Sequence, residues 1–111
     1  MADVEYTFIR TWSGEPADAW VALWAAFVAT GFRLSVPSHW AIRGELGSAL
    51  TISGRNLPIS MDAVFTGTED GVVTVQIRLA DNFSVPFTGV AVRRNVQQRF
   101  AEIERDLDSV L

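Results

Sequence analysis

Ala17-Asp18-Ala19-Trp20-Val21-Ala22-Leu23-Trp24-Ala25-Ala26-Phe27-Val28-Ala29-Thr30-Gly31-Phe32, set between Pro16 and Arg33, decides the architecture of this chain. From Ala19 to Ala29 the stretch is apolar on nearly every side. A helix lying on a surface needs a polar stripe, and this one has almost none, so it is expected to be covered all round. At about 1.5 Å per residue its apolar run reaches roughly half-way across a ~30 Å hydrocarbon core, too short to span a membrane. The run therefore reads as a core helix gripped by a sheet or by another chain. Trp20, Trp24 and Phe27 share one side of it, with Ala22, Ala25, Ala26 and Ala29 roughly opposite. The rings either fill the core or line an apolar pocket.

The helix is framed by local signals. Val4, Tyr6, Phe8 and Trp12 alternate with Glu5, Thr7 and Thr11, the period of a half-buried strand. Ser13-Gly14-Glu15-Pro16 ends that strand. Ser and Glu can serve free amides at a helix start, and Pro is tolerated in the first turn. Gly31 stops the helix.

Four further strands are expected: around Trp40, Ile42 and Leu46; around Leu50 and Ile52; from Leu57 to Phe65; and from Val73 to Leu79. The turns between them, Gly47-Ser48, Gly54-Arg55-Asn56 and Gly67-Thr68-Glu69-Asp70-Gly71, are too short for crossovers, so the sheet is antiparallel. Each strand has one apolar face, so one side of the sheet meets the helices and the other meets water. After Asp81-Asn82-Phe83-Ser84-Val85-Pro86-Phe87, a final helix from about Thr88 carries Val92, Val96, Phe100, Ile103, Leu107 and Val110 at steps of three and four. The expected fold is α+β, in the order β-α-β-β-β-β-α: a five-stranded antiparallel sheet with two helices on one face, in a single domain of residues 1–111.

Composition removes whole classes of chemistry. There is no Cys, which excludes disulfides, thiolate nucleophiles and sulfur-ligated metals. His39 is the only His, so no His pair exists to bind a metal within one chain. Every cationic side chain is Arg, which excludes a Schiff base or a P-loop lysine. A formal charge of −4 disfavours nucleic acid as a partner. No cofactor is expected. The start of the chain shows no basic segment before an apolar run, and a cytoplasmic location is expected, so the triplet Asn82-Phe83-Ser84 carries no weight as a glycosylation site.

A few residues stand out. Arg10 falls on the apolar register of its strand, between Phe8 and Trp12, where its charge must find a carboxylate, carbonyls, water or a ligand anion. It either snorkels at the rim or anchors an anion at a cavity mouth. His39, in Val36-Pro37-Ser38-His39-Trp40, could act as a base or a pH switch, but the sequence sets no second titrating group beside it. No G-x-S-x-G elbow marks a Ser hydrolase, and Glu69-Asp70 reads as a turn. In the final helix Arg93, Arg94 and Arg99 come early and Glu102, Glu104, Asp106 and Asp108 late, an order that opposes the helix dipole at both ends. Arg105 with Glu102 or Asp108 would recover a little of that cost.

The first strand followed by Pro16-Ala17-Asp18-Ala19-Trp20-Val21-Ala22-Leu23 resembles the opening of the SRPBCC proteins, the Bet v 1/START-like helix-grip superfamily. The closing amphipathic helix, Asn95 to Leu111, is similar too. The resemblance implies a curved antiparallel sheet wrapped on the last helix and enclosing an apolar ligand. The family has six strands between its helices, whereas this chain has room for about four, which fits the simpler TBP-like topology as well. A smaller sheet encloses less. At about 24 cal/mol per Å³, an empty pocket of about 300 Å³ would cost about 7 kcal/mol of a total stability of about 5–15 kcal/mol. Any pocket should be small, filled, or completed by a second chain.

Three functions are in view. The first is non-catalytic binding of an apolar or amphipathic small molecule between the sheet and the last helix, lined by Tyr6, Arg10, Trp12, Trp40, Met61 and Phe65, with Arg10 meeting an acidic group. The second is a homodimeric or acidic partner-binding subunit, such as a chaperone, assembly factor or immunity protein. The third is an enzyme of the cyclase or isomerase kind, which would need His39 or a carboxylate inside the cavity.

Overall fold

A computed structural model describes residues 4–47, 57–82 and 90–110, without the side chains of 68, 69 and 90–92. Its order is β1 (Glu5–Ser13), α1 (Pro16–Ala29), β2 (Arg33–Ser35), β3 (Ala41–Leu46), β4 (Ile59–Glu69), β5 (Val72–Asp81) and α2 (Val90–Val110). The strands form one antiparallel sheet in the order β1-β5-β4-β3-β2. The expected α+β class and element order hold, with four strands between the helices among the described residues.

One strand differs from the expectation. Arg33–Ser35 pairs with β3, Leu34 lying opposite Gly44. Its signal is short but real: Phe32 is buried and Leu34 half-buried, while Arg33 and Ser35 are exposed. The segment Leu50 to Ile52 lies outside the described residues, as do Gly54-Arg55-Asn56 and most of the loop before α2. β4 also runs past its expected end at Phe65. A register shift between Phe65 and Gly67 carries it on to Glu69, and Asp70 and Gly71, both at positive φ (54° and 75°), close a two-residue hairpin.

The register gathers most apolar residues of the sheet on one face, while Ile9 and Val64 lie on the other, 57% and 45% exposed. Tyr6, Phe8, Arg10 and Trp12 lie opposite Leu79, Ile77, Val75 and Val73. Met61, Ala63 and Phe65 face the same β5 residues from the other side. Against this face pack Ala19, Leu23, Ala26 and Phe27 of α1, and Val96, Phe100, Ile103 and Leu107 of α2, all at most 2% exposed. Gly44 leaves the space that Met61, Leu34 and Phe32 occupy; a Cβ there would come within 2.9–3.1 Å of all three. Val110, expected in the stripe of α2, is 52% exposed beyond the edge of the core.

The end of α1 follows from Gly31 at φ 99°. The Gly31 amide donates to the Val28 carbonyl and the Phe32 amide to the Phe27 carbonyl, both at 3.0 Å, while the Phe27 and Phe32 rings meet edge to face. The helix start differs from the expected side-chain cap. Pro16 opens the helix, but the Glu15 side chain makes no capping bond.

The expectation that α1 is covered all round is corrected. Only one side is buried: Val21 is 66% and Val28 54% exposed, and Ala17, Ala25 and Ala29 are exposed beside them. A single sheet supplies cover on one side only. The small area of the Ala side chains keeps the open side inexpensive.

Candidate functional site

Three of the exposed apolar side chains, Val21, Val36 and Trp40, come together where α1 meets the turn into β3. In that turn the Ala41 amide donates to the Ser38 carbonyl at 3.3 Å, and the Phe65 amide donates to the Trp40 carbonyl at 2.9 Å. Trp40 between them sits at φ 59°, the left-handed region that a bulky residue rarely enters. Its ring stands edge-on to Trp20 with centroids 5.9 Å apart, and Phe65 lies 5.3 Å from Trp20 and 5.9 Å from Trp40. Trp24 stacks on Trp20 one turn along the helix at 6.2 Å.

An open trough of about 350 Å³ runs beside this cluster, lined by Ala17, Trp20, Val21, Val36, His39 and Trp40. Trp40 is 44% and Val36 54% exposed along it. His39 brings the trough's one titratable side chain. An open trough fills with water when empty, so it carries little of the cost of a sealed void.

A second site lies on the same face towards the other edge of the sheet, at β1. Arg10 reaches α2 and grips two acids there. Its Nε and Nη2 donate to the two carboxylate oxygens of Asp108 at 2.8 Å each, and Nη2 also donates to Glu104 at 2.6 Å. Nη1 donates to the Ile9 carbonyl at 2.9 Å, and the guanidinium lies 4.9 Å from the Phe8 ring centroid. Tyr6 donates its hydroxyl to Glu104 at 2.7 Å. These bonds hold the Asp108 carboxyl below, and the Arg10 guanidinium above, its ordinary pKa; the Glu104 carboxylate raises that of Tyr6. A hollow of about 160 Å³ beside the pair is lined by Arg10, Thr11, Trp12, Leu23, Val75 and Asp108.

The six expected lining residues thus share one face of the sheet without sharing one cavity. Trp40 and Phe65 belong to the trough cluster, Arg10 and Trp12 to the small hollow, and Tyr6 to the rim of α2, stacked 6.5 Å from Phe100. Met61 is wholly buried in the core. Phe100, Ile103 and Leu107 of α2 join Ile77, Leu79 and Met61 of the sheet in one buried apolar cluster. Ala17, Val21 and Val36 were not foreseen as lining, because apolar residues at those places read as core until the cover over α1 is known.

The acidic end of α2 is also explained. Glu104 and Asp108 oppose the helix dipole, yet both are held by Arg10 of β1. Glu102 pairs with Arg99 at 3.2 Å, in place of the expected Arg105. Among the described residues no cluster of His, Asp or Glu could hold a metal ion, and no helix is long and apolar enough to cross a membrane.

Neither a protein-family model nor a curated protein matches the chain. Among solved structures, it is similar to a chain in the crystal structure of the adenylate sensor from AMP-activated protein kinase in complex with 5-aminoimidazole-4-carboxamide 1-beta-D-ribofuranotide. The match has a TM-score of 0.59 and 13% identity, over 90% of this chain and 94% of that one. At that identity the likeness is one of fold.

Proposed function

We propose that this is a non-catalytic binding domain that takes an apolar or amphipathic small molecule in the trough between α1 and the turn into β3. The observation that carries the reading is Trp40, held at φ 59° with its ring 44% exposed over an apolar trough. A bulky residue kept in a costly backbone conformation while half in water contributes less to the core than its size allows, and such strain gathers at binding sites. The volume of about 350 Å³ suits a small ligand, for which pockets run to roughly 300–1,000 Å³. His39 supplies a polar group at one end. The site differs in place from the expected one beneath α2, where Arg10 is already engaged by two carboxylates. The helix-grip resemblance remains a proposal of the same kind, with four strands in place of six and a trough in place of an enclosed cavity.

Tryptophan fluorescence of the whole chain, titrated with 1-anilinonaphthalene-8-sulfonate, a fatty-acid series and steroids, tests the reading. A saturable response weakened at least tenfold by Trp40→Ala is expected. No saturable response from any of these classes would remove it.

One observation favours a second reading, an interaction subunit. The apolar stripe of α1 continues from Val21 past Ala25 to Val28, about 10 Å along the helix and beyond the trough. If that stripe is the docking face, Val28→Glu abolishes complex formation and leaves dye binding intact.

A further inference from the structure

The sheet has two edges of unequal length. β2 closes one with three residues, and β1 forms the other with nine. The ladder from Glu5↔Ala80 to Ser13↔Val72 runs without a shift. Its phase is set at both ends. Asp81 donates its amide to the Val4 carbonyl at 3.1 Å, and Gly14 donates its amide to the Gly71 carbonyl at 2.8 Å. Bonded pairs alternate in an antiparallel ladder, so the even-numbered residues of β1 are the ones bonded to β5. Glu5, Thr7, Ile9, Thr11 and Ser13 therefore aim their amides and carbonyls out of the sheet, and all five are exposed.

Natural sheets blunt such an edge with Lys, Pro, a bulge, a short strand, an inward-pointing charge or a covering element. β1 has no Lys, Pro, bulge or short length, and its one inward-pointing charge, Arg10, is neutralised by Glu104 and Asp108. Among the described residues, α2 does not cover the edge. The underside of α2 is buried in the core, and it is the flank bearing Glu104 and Asp108 that reaches Tyr6 and Arg10, so the helix axis lies inboard of the edge. Arg10 occupies one outward acceptor, the Ile9 carbonyl, and a carbonyl has a second lone pair.

We propose that a second copy of this chain adds to this edge, β1 against β1, antiparallel about a two-fold axis at Ile9. The occupant follows from the strand's self-complementarity. Pairing about Ile9 sets odd residues against odd, so every outward amide and carbonyl from Glu5 to Ser13 finds a partner. Glu5 then faces Ser13 of the second copy, Thr7 faces Thr11, and Ile9, 57% exposed in one chain, faces its own equivalent. Thr–Thr pairs are favourable across strands, and no like-charged residues stand directly opposite one another; the two Arg10 guanidinium groups that approach the axis are each neutralised by Glu104 and Asp108 of their own copy. Arg10 comes opposite Phe8 of the second copy, the residue type its guanidinium already overlies. A symmetric interface of this kind closes on itself and does not propagate. It is separate from the trough, so either can fail without the other.

Sedimentation of the whole chain from low micromolar to millimolar concentration, with amide hydrogen exchange, tests the pairing. A reversible dimer is expected, with the amides of Thr7, Ile9 and Thr11 protected as it forms. Ile9→Pro removes an outward donor without breaking a bond to β5, as proline at an edge allows. Ile9→Lys sets two charges across the axis. Either should raise the dissociation constant at least tenfold while the circular dichroism spectrum and dye binding in the trough stay unchanged, and Ile9→Lys keeps the test alive if the proline variant misfolds. A chain that stays monomeric throughout overturns the proposal. So does a dimer indifferent to Ile9→Lys, or one lost instead on Val28→Glu, which would mean that copies meet on α1.

Discussion

The guanidinium of Arg10 holds the carboxylate of Asp108 through two bonds of 2.8 Å, across 98 positions of sequence. It ties the edge strand to the last turns of the last helix. Its side chain is 33% exposed and that of Asp108 45%, so the pair sits at a wet rim.

Exposure sets the size of the effect. Removing one partner of a buried pair costs about 3–5 kcal/mol, but here water reaches both groups and the figure falls to about 1 kcal/mol. Arg10→Met should therefore lower stability by about 1 kcal/mol. A denaturant double-mutant cycle with Asp108→Asn should give a coupling of roughly 0.5–1 kcal/mol. A coupling near zero would show the two side chains apart in solution.

The pair also fixes an acid limb. The Asp108 carboxyl is depressed in the folded state by its bond from Arg10, so its contribution is complete above the unfolded value, about 4, and is lost as pH falls through the lower folded value. The stability gap between the native chain and Asp108→Asn should be constant from pH 7 to about 5 and close below about 4. Tyr6 gives the opposite limb. Its folded value is raised by the bond to Glu104, so its contribution is complete below about pH 10 and lost as pH rises through the folded value. The gap to Tyr6→Phe should close only in that range. Urea melts across pH read both.

At position 40 glycine should outperform alanine. The backbone stands at φ 59°, where a Cβ costs roughly 1–2 kcal/mol and glycine nothing. Both Trp40→Gly and Trp40→Ala lose the ring contacts with Trp20 and Phe65. Trp40→Gly should nevertheless be about 1 kcal/mol more stable than Trp40→Ala in paired melts. Equal stabilities would mean that the left-handed turn is not adopted.

Gly44 should resist enlargement. A Cβ would stand 2.9 Å from the end of Met61 and 3.0 Å from Leu34, and valine adds two methyl groups to that crowding. Gly44→Val is expected to cost about 1–3 kcal/mol. Met61→Ala in the same chain should recover part of it, a rescue visible as a raised melting midpoint.

By itself the sequence determined what depends on neighbours along the chain. Alternation placed Tyr6, Arg10 and Trp12 on one face of the first strand, Gly31 ended α1, and Gly67 to Gly71 marked the hairpin, though not its two-residue turn at Asp70-Gly71, because period and turn chemistry act over a few residues. Trp40 and Phe65 were also legible as aromatics of one face. Only the tertiary structure decided three other things. It chose which side of an evenly apolar helix is covered, leaving Val21 and Val28 in water and creating the trough. It made a strand of Arg33–Ser35, whose three residues gain their bonds only beside β3. And it gave Arg10 its acids, because the order of charges along α2 is unfavourable within the helix and becomes favourable only when strand register and helix placement bring Glu104 and Asp108 to the rim of β1.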